Sequence, residues 1–238
     1  MRVFLSGVAA LVTVSVSNAA GAANSSGNAT RLAELQAEVA AYAQLVEELE
    51  AQNAIENLQA AWGYYIEHRQ YDRAAALFSE DASFEYGQRG VYRGRERAKD
   101  AMRLVFGEAG PHRLNINMQL QPFVTVAPDK QTAQARWRSV QQIETEDGTG
   151  RWGAGVYENT YRKVDGKWTI SSIHYFVTFL TDYDQGWQNG TQIPMQGPSR
   201  DFPPDAPPTQ VYRSLPGAYL PPYHYVNPVS GKDVSWPD

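Results

Sequence analysis

Thr160-Tyr-Arg-Lys-Val-Asp165-Gly166-Lys-Trp-Thr-Ile170 sets an Asp-Gly pair between two runs rich in β-branched and aromatic residues. That combination is a strong short-range hairpin signal, because both central positions of the tight turn need a positive φ. The pair joins strand candidates at 151–164 and 167–181. Working outward, Glu146-Asp147-Gly148 and Pro128-Asp129-Lys130 separate two more, at 132–146 and 114–127. Four long strands joined by short polar connections form an antiparallel meander. Upstream, Gly94 precedes a helix ending near Gly107, with Ala98, Met102, Val105 and Phe106 inward. Before it come a short strand, 82–86, and a helix over Tyr71 to Phe78. Further back, Thr30 with Glu34 close behind reads as the N-cap of a long helix. Helices followed by a meander make an α+β domain.

The flanks differ from this centre. Arg2 and the mostly apolar run Val3 to Val16, followed by small residues, read as a signal peptide over residues 1–22. The run is too short for a good membrane span, so no span is expected after its removal. The expectation is export, to a periplasm or the extracellular space; a disordered Ala-rich N-terminus is the competing reading. Residues 23–53 read as a polar linker, 23–30, and a helical extension. There Leu32, Leu35, Val39, Tyr42, Val46 and Leu49 alternate spacings of 3 and 4, the seam of a short coiled coil. The seam is either the face of a helix lying on its own domain or a surface for self-association. Ile55, Leu58 and Trp62 continue an apolar face into the domain. From residue 188 to 238 runs a proline- and aromatic-rich tail, and 11 of the 14 prolines lie there. Trp187, Phe202, Tyr212, Tyr219, Tyr223, Tyr225 and Trp236 punctuate this region, which reads as an extended arm docked on this subunit or a neighbour, or as a disordered tail.

Composition narrows the function classes. A net charge of −5 without a basic run excludes nucleic acid as the expected partner. The absence of cysteine excludes disulfides, thiolate metal sites and Cys nucleophiles. Four scattered histidines without an i,i+4 pair give no metal motif, so neither metal nor cofactor is expected.

Ala54-Ile-Glu-Asn-Leu-Gln-Ala-Ala-Trp-Gly-Tyr-Tyr-Ile-Glu-His-Arg-Gln-Tyr-Asp-Arg-Ala-Ala-Ala-Leu-Phe-Ser-Glu-Asp81 resembles the opening of SnoaL-like domains of the nuclear-transport-factor-2-like superfamily. Gly90-Val-Tyr-Arg-Gly-Arg95, Gln119-Leu-Gln-Pro122, Gly155-Val-Tyr-Glu-Asn159, Gly166-Lys-Trp168 and Ile173-His-Tyr-Phe-Val-Thr-Phe179 with Gly186-Trp187 extend the likeness. It covers residues 54–187, and the tail looks like one carried by a subset of these proteins. The resemblance implies a cone-like curved antiparallel sheet wrapped around a long N-terminal helix, its open end forming a pocket. Members are often dimers or trimers, so a homo-oligomer is expected. Enzymes of this kind place an aspartate on the first helix, a tyrosine on the first strand and a histidine at the start of the meander. Here Glu67, Tyr86 and Asn117 stand at those positions, and Trp62 replaces a common pocket tyrosine.

The residues themselves offer further candidates. Glu67 has the chemistry of a base for cofactor-free proton abstraction if an apolar wall surrounds it, or is a surface glutamate at a helix end. By strict alternation His174 shares a strand face with Trp168, Ile170, Ser172, Phe176 and Thr178, as a proton shuttle or a satisfied core histidine. Tyr64, Tyr86 and Tyr157 are hydrogen-bond donors for a developing negative charge. Trp62, Trp137 and Trp152 have rings fit to stack on a planar ligand. His112 reads as a solvated loop residue. Arg136 and Arg138 fall on the face opposite Trp137, towards solvent or another subunit. The functional expectation is a cofactor-independent lyase, dehydratase or isomerase acting on a small hydrophobic molecule, aromatic and polycyclic ones included. Its catalytic candidates are Glu67, Tyr86, Asn117 and His174, and its substrate-binding candidates Trp62, Tyr64, Trp137 and Tyr157. The alternative is an exported, non-catalytic binding or assembly module.

Overall fold

The computed structural model describes residues 22–108, 114–188, 192–217 and 219–234, with side chains from residue 28 onward. Residues 1–21, most of the segment read as a signal peptide, and His112 and Trp236 lie outside the described residues. The elements are α1 (Ala22–Glu67), α2 (Tyr71–Ala75), β1 (Phe78–Tyr86), β2 (Val91–Arg93), α3 (Arg95–Phe106), β3 (Asn115–Val126), β4 (Thr132–Glu144), β5 (Gly150–Val164) and β6 (Lys167–Asp182). The four meander strands lie within two residues of their expected bounds at each end. Two boundaries differ. Residues 23–30 lie inside α1, so the polar stretch is helical and Thr30 is not its N-cap. Helix α2 stops at Ala75, and the apolar Leu77-Phe78 pair begins a strand that buries Phe78 completely.

The chain divides into two units, Met1–Leu45 and Val46–Asp238. In the first, Leu32, Leu35, Val39, Tyr42 and Leu45 are exposed. In the second, Val46 and Leu49 are 52% and 55% exposed, whereas Ala51, Ile55, Gln59, Trp62 and Ile66 are buried. Those five positions follow helical spacing, so one stripe of α1 from Ala51 onward meets the sheet.

The sheet has six strands in the order β2-β1-β6-β5-β4-β3. Every neighbouring pair is antiparallel except β1 and β6, which run parallel. The sheet curls without closing, and its register shows where. Thr160 faces Ser172 while Tyr161 faces Ile170, and Ala154 faces Phe179 while Gly155 faces Val177. Each shift inserts an extra residue into β6, and such bulges bend a strand and increase its twist. On β3 the register shifts between Leu120 and Phe123, where Gln121 has φ 51° and Pro122 has no N–H to give. A β-carbon at Gly155 would fall inside the Tyr175 ring, so glycine there is what lets Tyr175 lie across β5.

The concave face holds Phe84, Tyr157, Tyr161, Ile170, Ile173 and Tyr175 against Trp62 and Ile66 of α1 and Met102 of α3. The C-terminal arm docks on its own subunit, at the β2 edge of the sheet and over its convex face. At the edge Phe202 stacks on Tyr92 at 5.1 Å, and on the convex face Tyr225 stacks on Phe123 at 3.7 Å. Asp205 pairs with Arg97 at 2.7 Å, and the Val177 N–H donates to the Tyr212 hydroxyl at 2.7 Å. Ala206 and Gln192 form single bridges to Val91 and Thr181. Aromatic contacts and isolated backbone bonds hold an arm too rich in proline to extend the sheet.

Candidate binding cavity

A cavity of about 370 Å³ opens where the ends of several elements converge. Leu104, Val105 and Phe106 come from α3, Ile143 from β4, Val177 and Leu180 from β6, and Ile193, Pro194 and Met195 from the arm. Within this apolar lining Tyr86 and Gln141 are paired, the Gln141 Nε2 donating to the Tyr86 hydroxyl at 2.9 Å. Burial pushes the Tyr86 phenol up to about 12, so it remains a neutral donor at physiological pH. Its ring stacks on Tyr175 at 4.4 Å and meets Phe106 edge-on at 5.5 Å, which fixes its direction.

Behind the cavity the concave space is filled. Trp62 is fully buried against Tyr157 at 5.5 Å and Phe106 at 6.3 Å. A connected set of neutral polar side chains occupies the rest. Ser139 Oγ donates to Asn117 Oδ1 at 2.6 Å, and Gln119 Nε2 donates to the same oxygen at 3.1 Å. Asn117 Nδ2 in turn donates to the Tyr157 hydroxyl at 3.1 Å. Gln59 Nε2 donates to Gln119 Oε1 at 2.9 Å, and the Gln59 carbonyl accepts from Tyr161 at 2.7 Å and Asn159 at 3.1 Å. Trp137 Nε1 closes the chain on the Tyr161 hydroxyl at 3.1 Å. Burial drives the Tyr157 and Tyr175 phenols well above their ordinary range, so these hydroxyls stay neutral as well. Such a network specifies one packing of the interior, since each member left unpaired would carry its full desolvation cost.

Of the four catalytic candidates, only Tyr86 lines the cavity. Glu67 is turned to the open edge of β3, where its Oε1 accepts the Asn117 N–H at 2.9 Å. Beside it Asn115 Nδ2 donates to the Ile66 and Glu67 carbonyls at 3.1 and 3.3 Å, so this end of α1 is sewn to the edge strand. Gly63 is where the helix comes closest: a β-carbon there would lie 3.1 Å from Gln119. Asn117 is buried in the network.

His174 does not join them. The bulge at Ser171 lets Ile170 and Ile173 both face the core, so the alternation that grouped His174 with Ile170 breaks between them. His174 lies on the convex face, 3.9 Å from the Phe176 ring and 3.5 Å from Glu85, under the arm. Burial lowers its imidazole to about 4, leaving it neutral. Among the binding candidates, Trp62, Trp137 and Tyr157 are core, while Tyr64 is 68% exposed and faces away from it. Arg136 is on the convex face as expected, but buried rather than solvated. It pairs with Glu158 at 3.0 Å and sits 4.2 Å over the Tyr223 ring. His224 completes that cluster on Glu158 at 2.9 Å. Among the described residues no group of three His, Asp or Glu side chains is arranged to hold a metal ion, and no helix is long and apolar enough to cross a membrane.

The cavity's other polar residues carried weaker signals. Gln141 shares strand parity with Trp137 and Ser139, so alternation from Trp137 points to it. Arg89, in the turn after β1, and Met195, in the arm, have no periodic pattern to mark them.

Comparison with known proteins agrees with this geometry. The SnoaL-like domain model matches residues 47–174. The chain belongs to that family. Among solved structures it is similar to the proposed scytalone dehydratase of Novosphingobium aromaticivorans DSM 12444, at 22% identity and a TM-score of 0.52, over 58% of this chain and 91% of that one. It is also similar to a hexachlorocyclohexane dehydrochlorinase, LinA type 2, at 22% identity and 0.51, over 58% and 91%. The LinA-type3 dehydrochlorinase of Novosphingobium barchaimii LL02 gives 21% and 0.51, over 58% and 92%. At these identities the likeness is one of fold, the α+β cone. No curated protein matches the chain.

Proposed function

We propose that the chain binds a small hydrophobic molecule, flat or aromatic in part, in the cavity, with Tyr86 and Gln141 as its hydrogen-bonding partners. The observation that supports this is the buried Tyr86–Gln141 pair set beside the apolar part of the lining, formed by Leu104, Val105, Phe106, Val177, Leu180 and Met195. Binding without turnover is the reading the geometry favours. The acid and amide at the positions of the related enzymes' catalytic pair are both engaged in holding β3, outside the cavity lining. Mass spectrometry of small molecules retained by the purified mature chain tests the proposal. With such a ligand in hand, Tyr86→Phe is expected to weaken binding about 10-fold, the value of one buried hydrogen bond. Unchanged affinity would remove Tyr86 from the site.

Elimination or isomerisation is the second reading, favoured by Tyr86, which matches the tyrosine of the related enzymes and does line the cavity. A neutral phenol can donate to an oxygen on which charge develops. Glu67→Gln separates the two readings. Loss of turnover of the retained ligand supports catalysis, whereas unchanged ligand handling supports binding alone.

We also propose export and self-association through the exposed seam from Leu32 to Leu49. N-terminal sequencing of the mature chain tests the first. Light scattering on chains with and without residues 23–50 tests the second, and an unchanged mass would discard the seam as the contact.

A further inference from the structure

Three guanidinium groups and three carboxylates stand around the cavity, and they are not equivalently partnered. Arg151 pairs with Asp182 at 3.1 Å. Glu108 pairs with Arg103 at 3.4 Å, and Glu144 accepts the Leu114 N–H at 3.2 Å. Arg69 donates to the Phe106 carbonyl at 3.2 Å, an end-of-helix contact that anchors it to the wall. Among the described residues neither Arg69 nor Arg89 forms an ion pair with a carboxylate. Arg69 is tied to backbone, whereas the Arg89 side chain donates to the carboxamide oxygen of Gln196 in the arm. The titratable groups beside Arg89 are the phenols of Tyr86 and Tyr92, both raised by burial and so neutral.

A half-buried guanidinium has lost part of its hydration, and a neutral amide returns a hydrogen bond but no counter-charge. The planar fork carries five donors and fits a carboxylate in two parallel bonds. Its place favours a ligand over a protein partner. Arg89 sits three residues beyond Tyr86, in the turn that forms one wall with Ile193–Gln196, while Glu144 and Glu146 come from the end of β4, three strands away in the sheet order. Arg89 and the two glutamates are therefore carried by strands that are not neighbours in the sheet.

We propose that the molecule held in the cavity carries a carboxylate, which docks on Arg89 while its apolar body lies among Phe106, Val177, Leu180 and Met195. The inference rests on the cavity being a binding site and adds the ligand's charge.

Calorimetric titration of the full mature chain with 2-naphthoate and 2-naphthamide, matched in shape and differing in charge, tests it. The acid is expected to bind at least ~10-fold more tightly than the amide. In Arg89→Gln the acid should lose that advantage while the amide keeps its affinity. Gln196→Glu provides a second test should Arg89→Gln fail to fold: it places a competing carboxylate on Arg89 and should weaken the acid selectively. Equal binding of the two probes, or a preference that survives in the variants, overturns the inference and leaves the cavity as a site for neutral molecules. Binding of neither probe overturns the cavity reading together with it.

Discussion

Asn117→Leu should lower the unfolding free energy by about 3–5 kcal/mol, the sum of several buried partners left without a bond and a few stranded far from water. Asn117 is 3% exposed. Its oxygen accepts from Ser139 at 2.6 Å and Gln119 at 3.1 Å, and its amide donates to Tyr157 at 3.1 Å. Leucine has the same branched outline and is somewhat larger, so the loss comes from polarity and not from a hole. Ser139 Oγ and the Tyr157 hydroxyl would lose this partner, while Gln119 Nε2 would keep only its bond to the backbone carbonyl of residue 117. Asn117→His introduces the residue that related enzymes carry here, and it too should destabilise, because the larger ring meets the packed Ser139 and Tyr157 instead of an open cavity. Urea unfolding followed by tryptophan fluorescence measures both. A loss below about 1 kcal/mol for Asn117→Leu would mean that the network is hydrated or slack, contrary to the connected set described above.

Acid should loosen the same domain from its other face. His174 is neutral in the folded chain, with its imidazole lowered to about 4 by burial, against an ordinary value near 6.5. The unfolded chain therefore binds a proton that the folded chain refuses between those limits. Its stability contribution is complete above about pH 6.5 and is lost as pH falls towards 4, by at most about 3 kcal/mol. The groups facing His174 set the remainder of the curve. Glu85, buried on β1, is raised above its ordinary value by desolvation, while Thr209 of the arm donates to it at 2.8 Å through both its N–H and its hydroxyl. A raised carboxyl acts in the opposite sense, costing stability as pH rises through the window just above its ordinary value. Glu158 of β5 and His224 of the arm, paired with each other at 2.9 Å, are the other ionisable groups in this cleft. Urea midpoints measured from pH 7 to 4 should fall in the native chain, and His174→Gln should flatten the fall. Parallel curves would assign the acid sensitivity to another group.

The fold was legible because its signals were local. Asp165-Gly166 marks a turn that needs two positive φ angles, and both residues adopt them, at 51° and 75°. The burial stripe of α1 follows from residue spacing alone. The site was less legible, for reasons that can be assigned to particular residues. Alternation fails at Ser171 because a bulge changes the parity of β6, and nothing in Trp168 to Thr178 announces the extra residue. Glu67 stands where a base would, yet its direction is set by an unpaired N–H on the edge of β3, a feature of strand order that the chain does not display. Tyr86 was found because the family position points to it. Arg89 and Met195 were missed because turns and extended arms have no period from which a face can be read.

The arm also bears on how the molecule reaches this state. Thr209 meets Glu85 across 124 positions of chain, and Phe202 accepts from Tyr92 across 110. Each spans close to half the chain, and topologies dominated by such contacts assemble slowly. Until the last fifth of the chain is available, the convex side of the sheet lacks the cover for Glu85 and Arg136. During synthesis the domain is thus incomplete until the arm has emerged, and chaperone protection would matter most at that stage.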